Sequence, residues 1–166
     1  MISKLSEIGV IGMGRFGTLI SNIFQEDFDV YCYDPEQGKG TNVFNMVSLQ
    51  YAASREIVVY CVPILKFKES VSETVPYIRK DAHVLDVLSV KKYPYEVMTN
   101  LLPDTVSILP THPMFGPDSI KNGRDGLPFV LCPEEKTNKK TLAFFPNIYK
   151  EKGFLYLKHL VMITTK

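Results

Sequence analysis

Short apolar runs alternate with helical stripes of apolar residues along most of this 166-residue chain. The run from Glu7 to Ile11 has the length of a strand, and the residues after it are apolar at positions i, i+3, i+4, i+7 and i+8. That spacing is typical of a helix that faces a hydrophobic core. The stripe consists of Phe16, Leu19, Ile20, Ile23 and Phe24. A continuous apolar run from Glu56 to Val62 fits a central strand of a parallel sheet that is covered on both faces.

The same alternation extends into the last third of the chain. Strands are predicted at residues 7–11, 29–34, 43–47, 56–62, 83–88, 106–111, 129–132 and 154–157. Helices are predicted between them, and Pro146 is expected to bend or break the helix at residues 136–152. Residues 35–40 are predicted to form a polar turn. Strands that alternate with helices favour an α/β fold with a doubly wound, mostly parallel sheet.

Three glycines with the spacing Gly12-x-Gly14-x-x-Gly17 separate the first strand from the first helix. The first glycine allows a tight turn, the second lets the backbone approach a pyrophosphate, and the third lets the helix lie close to the strand. The helix N-terminus offers unpaired N–H groups and a positive dipole end to phosphates. The motif predicts a Rossmann-type domain whose loop binds a dinucleotide, the alternative being a purely steric glycine turn. The loop residues assigned to the cofactor are Gly12, Met13, Gly14, Arg15, Phe16 and Gly17.

Two further strand ends are predicted to contact the cofactor. Asp34 ends the second strand, at about the distance from the glycine motif expected for an acid that binds a ribose 2′-OH. Its charge would repel a 2′-phosphate, so the sequence predicts NAD in preference to NADP. Cys61, Val62 and Pro63 end the strand beside the glycine turn and are assigned to the cofactor site, on its nicotinamide side. For Pro63, the alternative is an ordinary strand terminator.

Charge and cysteine usage narrow the class of partner to a small molecule. The formal net charge of +1 gives no electrostatic reason to expect nucleic acid or a membrane surface. No apolar run approaches the length of a membrane span, and the first residues lack the apolar segment of a signal peptide. Cys32, Cys61 and Cys132 are far apart in strand-like runs, which predicts buried thiols in a reducing, cytoplasmic compartment. Neither a disulfide nor a metal site is expected.

Candidate catalytic residues lie just after two predicted strands. His112 follows the sixth strand, and Pro113 and Gly116 are expected to fix a turn around it. Because histidine titrates near neutrality, His112 could accept a proton from a hydroxyl while a hydride leaves the same carbon. Ser89, one strand over, could hold the imidazole in one orientation, or it could only cap the following helix. Lys91 is interpreted as a solvated charge.

Three segments resemble the prephenate/arogenate dehydrogenase family of tyrosine biosynthesis. They are residues 86–91, 111–117 and 126–130, and the resemblance extends over about residues 6–155. Leu88 and Phe115 are most similar to the arogenate dehydrogenase branch of plants. Plant members tend to end the second strand in a Ser-Arg-like sequence that suits a 2′-phosphate, and this chain has an aspartate there.

The resemblance implies an NAD(P)-dependent oxidative decarboxylation of prephenate or arogenate. In that reaction a hydride passes from the ring carbon that carries the hydroxyl to the nicotinamide, and the ring carboxylate leaves as carbon dioxide. By resemblance, His112 accepts the hydrogen bond or proton of the ring hydroxyl. Ser89 orients this histidine and contacts the substrate, and Gly116 is assigned to the substrate site.

The family continues into a helical dimerisation domain that the sequence is expected to lack. Residues 1–158 are therefore assigned to a dinucleotide-binding and catalytic domain, and residues 159–166 to an atypical tail. In a displaced reading frame, codons for this tail can spell Cys-Asp-Asp-His-Asp-Lys, close to a family motif, which suggests a frameshift. The full-length family is expected to form homodimers, and the sequence leaves the state of this chain open.

Two alternative functions are weighed against the dehydrogenase. One is a truncated nucleotide-binding remnant of the same family that is weakly active or inactive. The other is a relative of the β-hydroxyacid dehydrogenases, which share the glycine loop. Those enzymes rely on a lysine in a later helical domain, and they do not explain the serine and histidine motifs.

Overall fold

The computed structural model describes residues 5–36 and 43–158 of the chain. Eight strands are observed: β1 Glu7–Ile11, β2 Asp29–Tyr33, β3 Asn45–Met46, β4 Ile57–Tyr60, β5 His83–Asp86, β6 Ser107–Pro113, β7 Pro128–Leu131 and β8 Leu155–Lys158. Five α-helices lie between them: α1 Arg15–Phe24, α2 Leu49–Ala53, α3 Ile64–Thr74, α4 Lys92–Leu101 and α5 Lys139–Glu151. Short 3₁₀ helices are formed by Val75–Tyr77 and Ser119–Asn122.

All eight strands form one sheet in the order β3-β2-β1-β4-β5-β6-β7-β8. Neighbouring strands from β3 to β6 are parallel, whereas β7 runs antiparallel to β6 and parallel to β8. The order reverses between β1 and β4, because the chain builds outward to β3 and then returns to the other side of β1. Ligands bind at such a switch point, beyond the carboxyl ends of the strands. The predicted doubly wound, mostly parallel α/β sheet is confirmed.

Hydrophobic side chains cover both faces of the sheet. Every residue of β4 is buried, as expected for a strand that pairs on both sides with β1 and β5. The predicted stripe of α1 packs on one face, where Ile20, Ile23 and Phe24 are buried with the aromatic residues of α5. The other face carries the buried residues of α2, α3 and α4.

Gly9 allows the closest approach between a helix and the sheet. A Cβ atom built at this position would lie 1.9 Å from the carbonyl oxygen of Ala52 in α2. A glycine inside a strand is a known sign of such a close approach between backbones. Any side chain at this position would push α2 away from β1.

Several finer predictions are settled by the fold. Helix α5 runs through Pro146 as a single element, so the proline does not break it. Cys32 and Cys132 are buried thiols, as predicted, whereas Cys61 is only partly buried. No helix in the described part of the chain is long and apolar enough to cross a bilayer. The predictions for residues 37–40 and for the tail at 159–166 lie outside the described residues.

His83 is the first residue of β5, at the end opposite the strand's carboxyl end, and belongs to a buried hydrogen-bond network. Its Nδ1 lies 2.7 Å from the Thr141 hydroxyl oxygen, which is 2.6 Å from the Ser107 hydroxyl oxygen. The Asn138 carboxamide oxygen caps α5 by accepting from the Thr141 N–H at 2.9 Å. Burial, followed by the nearby Lys140 ammonium, lowers the pKa of His83. Burial therefore favours the neutral imidazole in the folded chain.

This lowered pKa predicts a loss of stability on the acid side of neutrality. Below the unfolded pKa of about 6.5, the unfolded chain binds a proton that the folded chain excludes. The contribution of His83 is thus complete above pH 6.5 and falls as the pH drops towards the folded pKa. Burial also shifts the pKa values of Asp86 and His112. The measurement therefore compares urea unfolding of wild type with that of His83→Asn, each at pH 5 and at pH 7. Between pH 7 and pH 5, we expect the variant to lose less unfolding free energy than wild type. An equal loss in the two proteins would contradict the assignment.

Candidate active site

Gly12 and Gly17 are required by the geometry of the loop between β1 and α1. Gly12 has a φ of +97°, and a Cβ atom there would lie 2.6 Å from the carbonyl oxygen of Cys61. A Cβ atom at Gly17 would lie 1.9 Å from the carbonyl oxygen of Gly12. The first glycine therefore permits the turn beside the end of β4, and the second lets α1 pack on that turn.

Gly14 has a different role, because its surroundings are open. A Cβ atom at this position would meet no atom within 4 Å. Gly14 is the N-cap of α1, where no side-chain cap is present and no acidic residue occupies the first turn. The first N–H groups of the helix thus remain available at an uncapped, dipole-positive end. An open backbone at a helix N-terminus fits the pyrophosphate of a dinucleotide.

Asp34 is held against the glycine loop at the end of β2. Its Oδ2 accepts a hydrogen bond from the Met13 N–H at 2.7 Å, and its Oδ1 accepts one from the Glu36 N–H at 2.8 Å. The contact to Met13 places the carboxylate beside the loop, where the ribose of a bound dinucleotide would lie. The Met13 side chain itself is buried in the core, so this residue contributes to the site through its backbone.

The glycine loop and Asp34 form one wall of a cleft of about 770 Å³. That volume suits a small-molecule or cofactor site. The predicted site residues that line it are Gly12, Gly14, Arg15, Phe16, Asp34, Cys61, Val62, Pro63 and Ser89. His112, Gly116, Met13 and Gly17 do not line it. Helix α3 also lines the cleft, through residues that the sequence pattern does not indicate: Lys66, Glu69, Ser70 and Glu73.

Ser89 lies in the turn between β5 and α4, at the edge of the cleft. The turn is fixed by Asp86, whose Oδ1 accepts a hydrogen bond from the Leu88 N–H at 3.0 Å. The N-cap position of α4 is occupied by Lys91, and no side chain caps it. The alternative in which Ser89 only caps the helix is therefore wrong. Its exposed hydroxyl remains a candidate for substrate contact.

His112 lies within β6, one residue before its end, and not in the turn after it. Asp86 pairs with Pro110 across β5 and β6, so His112 projects two residues further, on the strand next to the Ser89 turn. On its other side His112 pairs with Val130 of β7. Among the described residues, no hydrogen bond joins Ser89 to His112, so the predicted orienting contact is absent from this arrangement. Burial, and then the Lys91 ammonium, lower the pKa of His112.

The loop after His112 returns to the start of α1. The Phe115 ring is buried, with its centroid 6.1 Å from that of Phe16. Nearby, the Arg15 guanidinium forms an exposed ion pair with Asp118 at 3.0 Å. These contacts bring the segment that follows His112 over the N-terminal turn of α1. Gly116 lies in this loop, outside the cleft lining.

Lys91 is not the solvated charge that the sequence suggested. Its side chain is 10% exposed, and its ammonium contacts the fully buried Asp86 carboxylate. The ammonium also donates to the Thr111 carbonyl oxygen at 2.5 Å. Nothing in the residue pattern distinguishes this lysine from an exposed one, because its burial depends on the pairing of β5 with β6.

The glycine loop, the uncapped helix and the cleft define a Rossmann-type domain that binds a dinucleotide cofactor. Among residues 5–36 and 43–158, no group of three or more His, Cys, Asp or Glu side chains is placed to hold a metal ion. The family model for the nucleotide-binding domain of prephenate dehydrogenase matches residues 27–156. The chain belongs to this prephenate dehydrogenase family, which confirms the resemblance seen in the sequence.

Curated relatives carry related activities. The chain is 33% identical to Arogenate dehydrogenase 1, chloroplastic, of Arabidopsis thaliana over 75% of its own length and 21% of that protein. It is 34% identical to Arogenate dehydrogenase 2, chloroplastic, of the same plant over 77% of its length and 38% of that protein. A probable arogenate/prephenate dehydrogenase of Methanocaldococcus jannaschii is 29% identical over 85% of this chain and 32% of that protein. The chain thus spans well under half the length of these relatives.

Solved structures share the fold. Prephenate dehydrogenase from A. aeolicus, in complex with hydroxyphenyl propionate and NAD+, superposes with a TM-score of 0.72 at 23% identity. The match covers 95% of this chain and 60% of the A. aeolicus chain. Synechocystis arogenate dehydrogenase has a TM-score of 0.73 at 22% identity and covers 93% and 59%. A pyrroline carboxylate reductase from Plasmodium falciparum also reaches 0.73, at 14% identity. These likenesses establish the fold, which several dehydrogenases and reductases share.

Proposed function

We propose that this chain is the nucleotide-binding and catalytic domain of a dehydrogenase that acts on prephenate or arogenate in tyrosine biosynthesis. The family to which the chain belongs and the names of its plant relatives support this function. The main observation behind this proposal is that the two candidate catalytic residues lie at the ends of neighbouring strands, β5 and β6. Ser89 lines the dinucleotide cleft, and His112 lies on the adjacent strand.

The reaction requires the chain only to bind the reactants and to transfer a proton. A nicotinamide dinucleotide held by the glycine loop and the cleft would supply the acceptor for the hydride of the ring carbon that carries the hydroxyl. His112 takes the hydroxyl proton as this happens, which a neutral imidazole can do. The ring carboxylate leaves as carbon dioxide, and its bonding electron pair completes the aromatic ring. The proton then returns from His112 to the phenolate oxygen, so the imidazole ends the cycle neutral.

A paired steady-state assay tests this function. The chain is incubated with NAD and either prephenate or arogenate, and the reduced cofactor is followed by absorbance while dinucleotide affinity is measured by calorimetry. Turnover of one substrate supports the dehydrogenase function and shows whether that substrate is prephenate or arogenate. Dinucleotide binding without turnover of either substrate supports the nucleotide-binding remnant instead.

We propose further that NAD is bound in preference to NADP. Asp34 is fixed by two backbone N–H groups at the cleft wall, so its charge cannot easily move away from a 2′-phosphate. The expected result is tighter binding of NAD by roughly tenfold or more, equivalent to about 1.4 kcal/mol, and a smaller ratio in Asp34→Asn. Calorimetric titration of both cofactors measures it.

Asp29→Asn is the matched control for this prediction. Asp29 is an exposed acid at the opposite end of the same strand, so its removal changes the net charge equally without touching the cleft. The control is expected to keep the wild-type ratio of the two affinities. Tighter binding of NADP than of NAD by the wild-type chain would refute the preference.

We also propose that the chain works in a reducing compartment such as the cytoplasm, where its three free thiols would stay reduced. We further propose that residues 1–158 form one domain and that the longer members of the family form homodimers. Light scattering of the purified chain measures its oligomeric state directly.

A further inference from the structure

A buried ion pair connects the two segments that carry the candidate catalytic residues. Asp86 ends β5 with a side chain that is 0% exposed, and Lys91 reaches it across the Ser89 turn. The Asp86 Oδ2 atom is buried without a hydrogen bond among the described residues, so the carboxylate relies mainly on the Lys91 ammonium, with the Leu88 N–H as a further donor to Oδ1. Taking two charges out of water is costly. The pair is therefore poorly explained as a source of stability alone.

The same pair is tied to the residue that precedes His112. The Lys91 ammonium donates to the Thr111 carbonyl oxygen at 2.5 Å. In return, the Thr111 hydroxyl donates to the Asp86 carbonyl oxygen at 2.5 Å. These contacts fix the end of β6 relative to the Ser89 turn from both sides. A shift of the pair would move Ser89 and His112 relative to each other.

We propose that Lys91 is a positioning residue for His112: its ammonium, held between Asp86 and the Thr111 carbonyl, sets the end of β6 beside the Ser89 turn and keeps a positive charge close to the imidazole. This inference rests on the proposed function, because it assigns His112 the task of accepting a proton. Lys91 acts through His112 and is not itself assigned a contact with substrate.

The electrostatics of the cluster agree with this geometry. Lys91 is the charged group that acts on His112, and it lowers the histidine's pKa in addition to burial. Asp86 faces Lys91 from β5, and burial raises the pKa of Asp86 to about 6 against the opposing effect of the ammonium. Cys132, which follows β7, faces the same pair, and Glu134 lies near Cys132. The arrangement favours a neutral imidazole at pH 7, which is the form that can accept a proton.

The direct test is an NMR titration of the His112 imidazole in the full chain, with the resonance assigned from its loss in His112→Asn. In wild type we expect a pKa below 6.5. In Lys91→Met the pKa of His112 is expected to rise, because the neighbouring positive charge is gone, and in Lys91→Arg it is expected to stay low. Lys92→Met is the matched control, since Lys92 is the adjacent, exposed first residue of α4. An unchanged pKa in Lys91→Met would overturn the proposal.

Asp86→Asn separates a charge effect from simple loosening of the structure. Burial raises the pKa of Asp86 to about 6, so its carboxylate is already partly neutral where His112 titrates. Its loss in Asp86→Asn leaves the ammonium in place, and the pKa of His112 is expected to stay low or fall, in contrast to Lys91→Met. Loosening alone would expose His112 in both variants and move both values upward towards 6.5. A rise in Asp86→Asn would therefore contradict the proposal even if Lys91→Met fails to fold.

Turnover measurements distinguish failure of this inference from failure of the proposed function. The titrations need neither cofactor nor substrate, so expected shifts in a chain without dehydrogenase activity would refute the function alone. In an active chain, Lys91→Met should lower kcat/KM more at pH 6 than at pH 8, because a larger fraction of His112 is protonated at the lower pH. An equal loss at both pH values would assign Lys91 a purely structural role and overturn the inference.

Discussion

Replacing His112 with asparagine is expected to lower kcat by roughly 10²- to 10⁴-fold, the usual contribution of a positioned general base. The amide keeps hydrogen-bonding capacity but cannot accept a proton near neutral pH. Because His112 does not line the dinucleotide cleft, the affinity for NAD should be unchanged. Steady-state rates with the preferred substrate and calorimetric titration with NAD measure the two quantities separately.

His83→Asn is the matched control for this variant. It makes the same substitution at a buried histidine that begins β5 and bonds to α5, at the opposite end of the strand from the Ser89 turn. The control should keep the wild-type kcat at pH 7. If His112→Asn retains wild-type kcat, or loses NAD affinity as much as rate, His112 is not the proton acceptor.

The sequence was sufficient to predict the sheet, because its central strands are apolar on both faces. The run that contains β4 fits a strand buried on both sides, and the helical stripe of α1 indicated which face of that helix packs inward. The glycine loop was readable for a similar reason. Gly12 and Gly17 are demanded by backbone contacts within a few residues of the motif and at the end of β4.

The parts that could not be predicted depend on pairing between segments distant in the chain. Lys91 is buried only because β6 places the Thr111 carbonyl beside the Asp86 carboxylate. Its neighbour Lys92 is exposed, and the two are indistinguishable by composition. The α3 residues that line the cleft were missed because they are polar and lie on a helix whose apolar stripe points elsewhere. No local sequence pattern indicates contacts of this kind.

Replacing Gly14 with valine is expected to weaken dinucleotide binding by roughly 10- to 100-fold, about 1.4 to 2.7 kcal/mol, without disturbing the fold. The backbone at Gly14 has extended angles, φ −66° and ψ −167°, which valine can adopt. A Cβ atom there would meet nothing within 4 Å, so the new side chain would occupy the space where the pyrophosphate approaches. Titration with NAD measures the affinity, and urea unfolding measures the stability.

Gly17→Ala gives the contrast that makes this result interpretable. Its Cβ atom would overlap the Gly12 carbonyl oxygen at 1.9 Å, so the helix must shift and the unfolding free energy should fall by about 1–3 kcal/mol. Gly14→Val, by comparison, should lose no more than about 1 kcal/mol, the usual cost of placing valine at an N-cap. If Gly14→Val binds NAD weakly but keeps its stability, the phosphates of the dinucleotide lie against the open backbone at Gly14. Unchanged NAD affinity in that variant would show that the glycine motif serves only the turn, and that the dinucleotide lies elsewhere.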